Sequence, residues 1–405
     1  MNCHNLAPFC IVLFLLSLFV PAVSAIEPLW THDASTSGEL SGVVISADGS
    51  TIVAGGDQLV SLSRDGKKRW TGWSGNRLVI SSDGNYLLTT RDQTIRMIDS
   101  SGTMLWDESL GVPVSDIDMV PNASLVIAGG GSRVRVMEGS GAAIRYNHTI
   151  YISHLRLLSG GDQVVFTSKI GVQRSNLTLL MEWEDTNMTQ DLVEVPADGS
   201  FFVTVTNNRV RKYTAEGDLK WDRKLPGGNA LAFALSRDGS TIVVGRDDNT
   251  ITALDSKGNE LFSDRAGHWI TSVAVSDDGN TIACGSIDKT LLVYERDGTK
   301  LGSFAAANPI KARSVAVSAD GSLIAATDGS TVYGFSRDQF TRLPAPAPSP
   351  MVVQDETTVP PPSATATAAP PPPAPSATAT PKAALPLSVT LLAPGILLLL
   401  RPRDS

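Results

Sequence analysis

Cysteine is scarce in this sequence. Three cysteines occur in 405 residues, and Cys3 and Cys10 fall in an N-terminal segment that we predict is removed. Cys284 then remains alone, and a single thiol cannot form an internal disulfide. It lies in a short apolar run, which favours a buried small side chain over a nucleophile. The fold must therefore be held by packing and hydrogen bonds.

Positive charge is also in short supply. The chain has 33 Lys and Arg against 41 Asp and Glu, a formal net charge of −8 and a pI near 5.2. Nucleic-acid binding needs a basic surface that neutralises phosphates. This composition therefore excludes a nucleic acid from the expected partners.

The catalytic motifs that sequence patterns reveal are missing. The chain contains no HExxH, GxSxG, Walker-loop or CxxC pattern. Its histidines are His4, His32, His148, His154 and His268, and no two of them have the spacing of metal ligands. We therefore predict no catalytic residue and no metal site.

Long apolar runs occur at the two ends alone. The run at 11–20, followed by small residues up to Ala25, predicts a signal peptide over 1–25, with a retained membrane anchor as the alternative. Residues 343–382 are rich in Pro, Ala, Ser and Thr, which predicts an extended stalk.

The apolar segment 383–400 and the basic tail 401–405 follow the stalk. This layout resembles the C-terminal surface-sorting signals of archaeal and bacterial exported proteins. It predicts a transmembrane or sorting segment with a cytoplasmic tail, and a domain displayed on the outer face of the cell membrane.

Between these ends the chain repeats a unit that is clearest over 267–304. Three short apolar runs are separated by turn residues, and a fourth run follows Asp297-Gly298, which predicts four antiparallel strands. The Ser-x-Asp-Gly turn or its remnant recurs with gaps of 35 to 42 residues, the period of a propeller blade. It lies at Asp48, Asp83, Asn122, Gly160, Asp198, Asp238, Asp278 and Asp320. Repetition across blades indicates turn chemistry and not a site.

The same residues resemble known repeats. Gly267-His268, Ser276 to Gly279 and Gly285 to Tyr294 resemble a WD40 repeat, while Ile251 to Gly258 and Ile95 to Trp106 are similar to the quinoprotein-like (PQQ-like) repeat. The resemblance covers roughly 29–337 and implies an all-β, eight-bladed β-propeller of four-stranded antiparallel blades over 26–342. Quinoprotein dehydrogenases carry an adjacent cysteine pair, which Cys284 alone cannot supply, so we expect no cofactor.

Aromatic residues predict how the ring closes. Trp70, Trp106 and Trp221 each follow the Gly of a last hairpin turn by four residues, and Trp183 also fits an outer strand. Trp30 matches that position but has no blade of its own. We predict that the strand around Trp30 completes blade 8. The alternative closure uses 340–343.

Residues that break the repeat are the candidates for recognition. Trp73 and Trp269 lie in connections between blades, beside His268 in one case, and Lys311 and Arg313 lie in the next connection. Exposed aromatic and cationic side chains are enriched in binding hot spots. The alternative is that the two tryptophans pack against neighbouring blades.

Four Asn-x-Ser/Thr sequons are candidates for glycosylation in an exported protein, and we expect them in turns or loops: Asn122, Asn147, Asn176 and Asn187. Asp247-Asp248-Asn249 could suggest a calcium site. It lacks the spacing of a calcium loop, so we interpret it as a turn.

These observations predict a non-catalytic, monomeric cell-surface module that binds a protein or a surface glycan, in adhesion or envelope assembly. Two alternatives stay open. One is an extracellular glycan lyase or hydrolase whose active site lies in the central channel, marked by convergent carboxylates or histidines. The other is a structural component of a surface layer.

Overall fold

The computed structural model describes residues 26–340, except 142, 159–160, 162, 169–170, 177–180 and 186–191, and for 143–151, 168, 171–176 and 181–185 it describes the backbone alone. The predicted signal peptide, stalk, C-terminal apolar segment and basic tail lie outside the described residues, as does Asn187. Within the described ranges, no helix combines the length and the apolar character needed to cross a bilayer.

The described strands form eight sheets, which we number as blades 1 to 8 in chain order. Blade 1 contains β2 (Leu40–Ile45), β3 (Thr51–Gly56), β4 (Leu59–Ser63) and β5 (Lys68–Gly72), and blade 2 contains β6 (Arg77–Ile80), β7 (Tyr86–Arg91), β8 (Thr94–Asp99) and β9 (Met104–Ser109). Blade 3 contains β10 (Asp116–Met119), β11 (Leu125–Glu138) and β12 (Ala143–Ile152), and blade 4 contains β13 (His154–Leu157), β14 (Gln163–Ser168), β15 (Gly171–Asn176) and β16 (Met181–Asp185).

Blade 5 contains β17 (Leu192–Glu194), β18 (Phe201–Thr206), β19 (Arg209–Thr214) and β20 (Leu219–Lys224), and blade 6 contains β21 (Ala230–Leu235), β22 (Thr241–Arg246), β23 (Thr250–Asp255) and β24 (Glu260–Arg265). Blade 7 contains β25 (Ile270–Val275), β26 (Thr281–Ser286), β27 (Thr290–Glu295) and β28 (Lys300–Ala305), and blade 8 contains β29 (Val315–Val317), β30 (Leu323–Thr327), β31 (Thr331–Ser336) and the N-terminal strand β1 (Trp30–Asp33). Short 3-10 helices lie at Ser35–Ser37 and Arg337–Gln339.

The first strand of every blade contacts the first strands of the blades before and after it, and β29 contacts β2. The sheets therefore close into a ring around a central channel, which confirms the predicted eight-bladed propeller. The apolar clusters lie between adjacent blades, so each sheet buries its faces against its neighbours.

The ring closes as the position of Trp30 predicted. Strand β1 pairs with β31 in antiparallel register, from Trp30 opposite Gly334 to Asp33 opposite Thr331. The competing closure is wrong, because Phe340 is buried against Phe335 and forms no fourth strand, with 5.5 Å between the ring centroids.

Outer-strand tryptophans join four of the blades to the blade that follows, and these are Trp30, Trp70, Trp106 and Trp221. The Nε1 of Trp30 donates to the carbonyl of Arg64 at 2.8 Å, and that of Trp70 donates to Ser100 at 3.0 Å. At Gly102 a Cβ would lie 2.8 Å from the ring of Trp70, so only glycine fits under the indole. The indole of Trp30 therefore joins blade 8 to blade 1 in the same way as the indole of Trp70 joins blade 1 to blade 2.

The Asp-Gly turns share one geometry. At Asp278, the Oδ1 accepts the Ser276 hydroxyl at 2.6 Å and the Asn280 N–H at 3.0 Å. In all eight blades the residue at the Gly279 position donates its N–H to the carbonyl three residues earlier. The accepting residues, which we call the turn residues, are Ser46, Ser81, Val120, Leu158, Pro196, Ser236, Ser276 and Ser318.

The prediction of four strands in every blade is wrong for blade 3, whose sheet contains three described strands. Its second and third strands run together as the 14-residue β11, and the pairing of β11 with β12 shifts register three times. The repeat determines where side chains lie in the regular blades. Blade 3 and its neighbours differ from them in the side chains that line the channel, as described below.

The central channel as candidate functional site

The turn residues provide a common frame for the channel wall. Because every first strand leads into this turn, positions counted back from it are equivalent in all blades. Four residues before the turn lies the upper ring, which consists of Gly42, Arg77, Asp116, His154, Leu192, Ala232, Ser272 and Ser314. Two residues before the turn lies the lower ring, which consists of Val44, Val79, Asp118, Arg156, Glu194, Ala234, Ala274 and Ala316.

The two rings divide the wall into unlike halves. Blades 2 to 5, the charged half, supply every ionisable side chain of the rings, whereas blades 6 to 8 and 1, the small-residue half, supply Gly, Ala, Ser and Val. A cavity of about 300 Å³ lies between them, lined by ring members from blades 2 to 7 and by Arg313.

An ion-pair network joins three blades of the charged half. Arg156 binds Glu194 with two parallel bonds, Nη2 to Oε1 at 2.7 Å and Nε to Oε2 at 3.0 Å. Its Nη1 donates to Asp116 Oδ2 at 2.9 Å. Bidentate pairs between arginine and carboxylate are strong and fix geometry, so Arg156 links blades 3, 4 and 5.

The carboxylates of blade 3 also bind the backbone of blade 4. Asp116 accepts the Leu155 N–H at 3.2 Å, and Asp118 accepts the Leu157 N–H at 2.7 Å. In blade 7 the hydroxyl of Ser272 accepts the Val315 N–H at 3.1 Å. Asp116 therefore performs the inter-blade bond that a neutral serine performs elsewhere.

Burial changes the protonation of two groups here. It raises the pKa of Asp118 to about 6, against the lowering effect of Arg156. It lowers the pKa of His154, so this imidazole is neutral at physiological pH, and its buried Nδ1 has no hydrogen-bond partner among the described residues. A carboxyl group with a pKa near 6 can hold or release a proton near neutral pH.

A second cavity, of about 530 Å³, opens toward the face that carries the Asp-Gly turns. Asp118, Arg156 and Glu194 line both cavities. These three lower-ring side chains therefore form the boundary between the two cavities. We call the face with the blade connections the upper face.

Four of the five predicted recognition residues lie in two neighbouring connections of the upper face, and these are His268, Trp269, Lys311 and Arg313. Trp269 is 45 % exposed and lies edge-on to the ring of His268, with 5.3 Å between centroids. The Thr271 hydroxyl donates to the Ile310 carbonyl at 2.6 Å and so ties the Trp269 connection to the one that carries Arg313. Arg313 lines the cavity of about 300 Å³, which we call the upper cavity.

Two of the predicted residues have partners outside these two connections. Lys311, in the same connection as Arg313, pairs with Glu39 of the connection between blades 8 and 1. Trp73 is exposed, but its Nε1 donates to the Gly102 carbonyl at 3.0 Å and the guanidinium of Arg96 lies 6.0 Å from its ring centroid, both in blade 2. This placement fits the packing alternative for Trp73, and the structure does not group it with Trp269.

His268 and Tyr294 of blade 7 make separate local contacts. The Nδ1 of His268 accepts the N–H of Trp269 at 2.8 Å, while the Ser286 hydroxyl donates to the His268 carbonyl at 3.1 Å. Tyr294 donates its hydroxyl to Asp264 at 2.8 Å. The imidazole therefore remains at the upper face beside Trp269.

The calcium alternative at 247–249 finds no support in the bonding of its carboxylates. Asp247 Oδ1 accepts the Asn229 N–H at 2.7 Å, and Asp248 Oδ2 accepts the Gly228 N–H at 2.8 Å. Both carboxylates therefore bind the backbone of the connection before β21, and 247–248 form the turn between β22 and β23, as interpreted from the sequence. In the part of the chain that the structure describes, no group of three or more His, Cys, Asp or Glu could hold a metal.

Cys284 and the sequons complete the predicted positions. Cys284 is fully buried, and burial raises the pKa of its thiol, which confirms an inert core side chain. Asn122 lies in the blade 3 turn, where its Oδ1 accepts the Ser124 N–H at 3.1 Å. The expectation of loops is wrong for Asn147 and Asn176, which lie within β12 and at the end of β15.

Sequence reasoning missed the charged half of the channel. Its members are separated by about one repeat, so no local motif contains two of the blades' contributions. The signal that finds them is the column of residues at a constant distance before each turn. In that column, four successive blades have charged residues at positions where the other four blades have small residues.

Comparisons with known proteins agree with this architecture. A family model described as "Outer membrane protein assembly factor BamB" matches residues 22–149, and one described as "WD domain, G-beta repeat" matches residues 260–295. A comparison with curated protein sequences finds no match.

Solved structures of Sqt1 from Chaetomium thermophilum share the fold. One, bound to the N-terminus of the ribosomal protein L10, has a TM-score of 0.62 at 11 % identity and covers 74 % of this chain and 97 % of its own. Another, of Sqt1 solved by MR, has a TM-score of 0.64 at 10 % identity and covers 76 % and 98 %.

Proposed function

Because the chain is a β-propeller of WD40-like and PQQ-like repeats, a fold typical of protein-interaction modules, we propose that it is a non-catalytic binding module for another protein. The observation that carries the proposal is the exposed Trp269, beside His268, at the upper face, in a connection tied to the one that carries Arg313. Tryptophan and arginine are both enriched in binding hot spots.

The expected partner is an extended protein segment. It would dock across the two connections that carry Trp269 and Arg313, which we call the rim, toward the upper cavity. The fold neighbour Sqt1, bound to an N-terminal protein segment, supports this mode by analogy of fold. A surface glycan, the other partner expected from the sequence, would also stack on Trp269. We favour protein because Arg313, with no ion pair among the described residues, suits a charged protein group.

We also propose that the propeller is displayed on the outer face of the cell membrane, in adhesion or envelope assembly. The apolar run at 11–20, the Pro-rich segment 343–382 and the apolar segment 383–400 support this location. External protease added to intact cells should remove the propeller. Protection of the propeller until the cells are lysed would contradict the location.

Substitution of Trp269 tests the binding surface. Crosslinking of the full-length chain in its native envelope would identify the partner, whose affinity is then measured. We expect Trp269→Ala to weaken binding by roughly 30-fold, the effect of losing a hot-spot side chain. Leu219→Ala removes an equally exposed apolar side chain, 51 % exposed on β20, and should leave affinity unchanged. Equal affinities for both variants would refute the rim as the binding surface.

A second candidate, a channel hydrolase or lyase, is favoured by the marker expected from the sequence, because the carboxylates of Asp116, Asp118 and Glu194 converge on one cavity. The pKa of about 6 at Asp118 adds to this. The other two carboxylates of the rings are bonded to Arg156, which leaves Asp118 as the group able to transfer a proton. Release of reducing ends from polysaccharides by the full-length chain, lost in Asp118→Asn, would establish this function. Activity retained in that variant would exclude Asp118 from the chemistry.

A further inference from the structure

The guanidinium group of Arg77 is short of partners. Its side chain is 22 % exposed, and its one ion pair with a described residue is to Asp116, with 3.7 Å between Nη1 and Oδ1. Arg156 holds the same carboxylate more closely, at 2.9 Å. A guanidinium has five N–H donors in a planar fork. Most of the donors of Arg77 therefore lack an acceptor in the described part of the chain.

These donors belong to the wall of the upper cavity, which Arg313 also lines. Burial lowers the pKa of Arg77, which indicates that nearby carboxylates do not fully replace its lost hydration. A cation in this condition is stabilised by an incoming anion that satisfies its donors.

The surrounding charges and surfaces define which anion fits. Asp116, Asp118 and Glu194 line the same cavity and would repel a multiply charged group such as phosphate. A single carboxylate matches the guanidinium fork with two parallel bonds. Leu231 and Phe233 line the cavity from blade 6 and provide apolar surface for the stem that carries the carboxylate.

We propose that the upper cavity binds one carboxylate of the partner segment, from an acidic side chain or from a chain terminus, at Arg77 with Arg313 at the entrance. This inference rests on the proposed function, because the carboxylate belongs to the segment that docks on the rim beside Trp269. It adds the chemical identity of the group that enters the channel.

Small probes test the cavity without the partner. The detergent-purified full-length chain is titrated in ligand-observed NMR with acetyl-glutamate N-methylamide, which has a side-chain carboxylate alone, and with acetyl-leucine, which has a terminal carboxylate alone. The matching amides, acetyl-glutamine N-methylamide and acetyl-leucinamide, are the uncharged controls. We expect at least one carboxylate to bind roughly tenfold or more tightly than its amide, and the tighter probe identifies the source.

Variants assign that binding to Arg77. Arg77→Gln should weaken the carboxylate probe roughly tenfold or more, and Arg77→Lys, which keeps the charge but loses the fork, should give an intermediate value. Arg265→Gln removes an exposed arginine on β24 and should have no effect. Thermal melts check that each variant folds.

Two results would overturn the proposal: carboxylates that bind no better than amides, or probe binding that is unchanged in both Arg77 variants. Failure of the rim proposal gives a different result, because Trp269→Ala would then leave the affinity for the partner unchanged whatever the probes do. The two proposals therefore fail separately.

Discussion

The two halves of the channel wall have the same backbone and opposite chemistry. In the small-residue half, Ser272 accepts an N–H from the next blade, and its side chain needs nothing more. In the charged half, Asp116 accepts the equivalent N–H but adds a charge that Arg156 and Arg77 must balance. A serine would be sufficient for closing the ring. The charged half therefore has chemistry that the architecture does not require.

The halves also differ in what holds their blades together. The first strands β2, β21, β25 and β29 contain no charged residue. Their blades are joined by packing, by neutral hydrogen bonds such as that of Ser272, and by outer-strand contacts such as Trp30 on Gly66. The first strands of blades 3 to 5 are joined in addition by the bonds of Arg156. Ion pairs with little exposure contribute to stability only while both partners are present.

The largest expected effect is in the small-residue half. Trp30→Ala removes the indole that fastens blade 8 to blade 1 and should lower the free energy of unfolding by about 4 kcal/mol. Trp73→Ala makes the same chemical change at a more exposed indole and should cost less than half as much. Chemical denaturation of both variants measures this, and equal losses would contradict closure through Trp30.

A somewhat smaller effect is expected in the charged half. Arg156→Ala leaves Asp116 and Glu194 without their cation and should destabilise the fold by about 3 kcal/mol. The quadruple change Arg77→Ser, Arg156→Met, Asp116→Ser and Glu194→Leu replaces the network and its second cation with neutral side chains and should recover most of that loss. If the quadruple variant is as unstable as Arg156→Ala, the charges are needed for the architecture and the comparison is wrong.

The smallest effect depends on pH. Burial places the pKa of Asp118 near 6 in the folded state, above the ordinary value that it has when unfolded, so the folded protein prefers the neutral carboxyl group. The stability from this preference is complete below about pH 4 and is lost as the pH rises through 6. Asp118→Asn stays neutral, and its amide oxygen can still accept the Leu157 N–H.

We therefore expect Asp118→Asn to be about 2 kcal/mol more stable than the parent chain at pH 8 and equal to it at pH 4. The half-buried side chain keeps the value below the full effect of the shift. Denaturant unfolding at the two pH values measures this, with Ala274→Ser in the small-residue half as a pH-independent control. The same stability difference at both pH values would assign it to packing.

Much of the fold could be predicted because its signals are local. An Asp-Gly pair forms its turn through bonds within a few residues, as at Asp278, so each blade marks itself in the sequence. Trp30 could be assigned to blade 8 because the spacing from turn glycine to outer-strand tryptophan repeats in the other blades.

The site could be predicted only in part. Trp269 and Arg313 stand out because they interrupt the repeat, and their connections are indeed neighbours. Trp73 interrupts it equally but packs on blade 2, which depends on the direction of one side chain. Arg77 and Asp116 are 39 positions apart in the sequence and meet only when the ring has closed.

The sequence by itself determined the number of blades and the turn that ends each first strand, since bonds between near neighbours form these turns. It also identified the strand that completes blade 8, although that strand pairs with β31 at the far end of the propeller, because the spacing from turn glycine to outer-strand tryptophan repeats. The tertiary structure alone decided that four successive blades direct their charges into one channel, because ring closure places residues about one repeat apart on a common wall. It also decided their protonation, since the burial that shifts the pKa of Asp118 exists only after eight sheets have packed together.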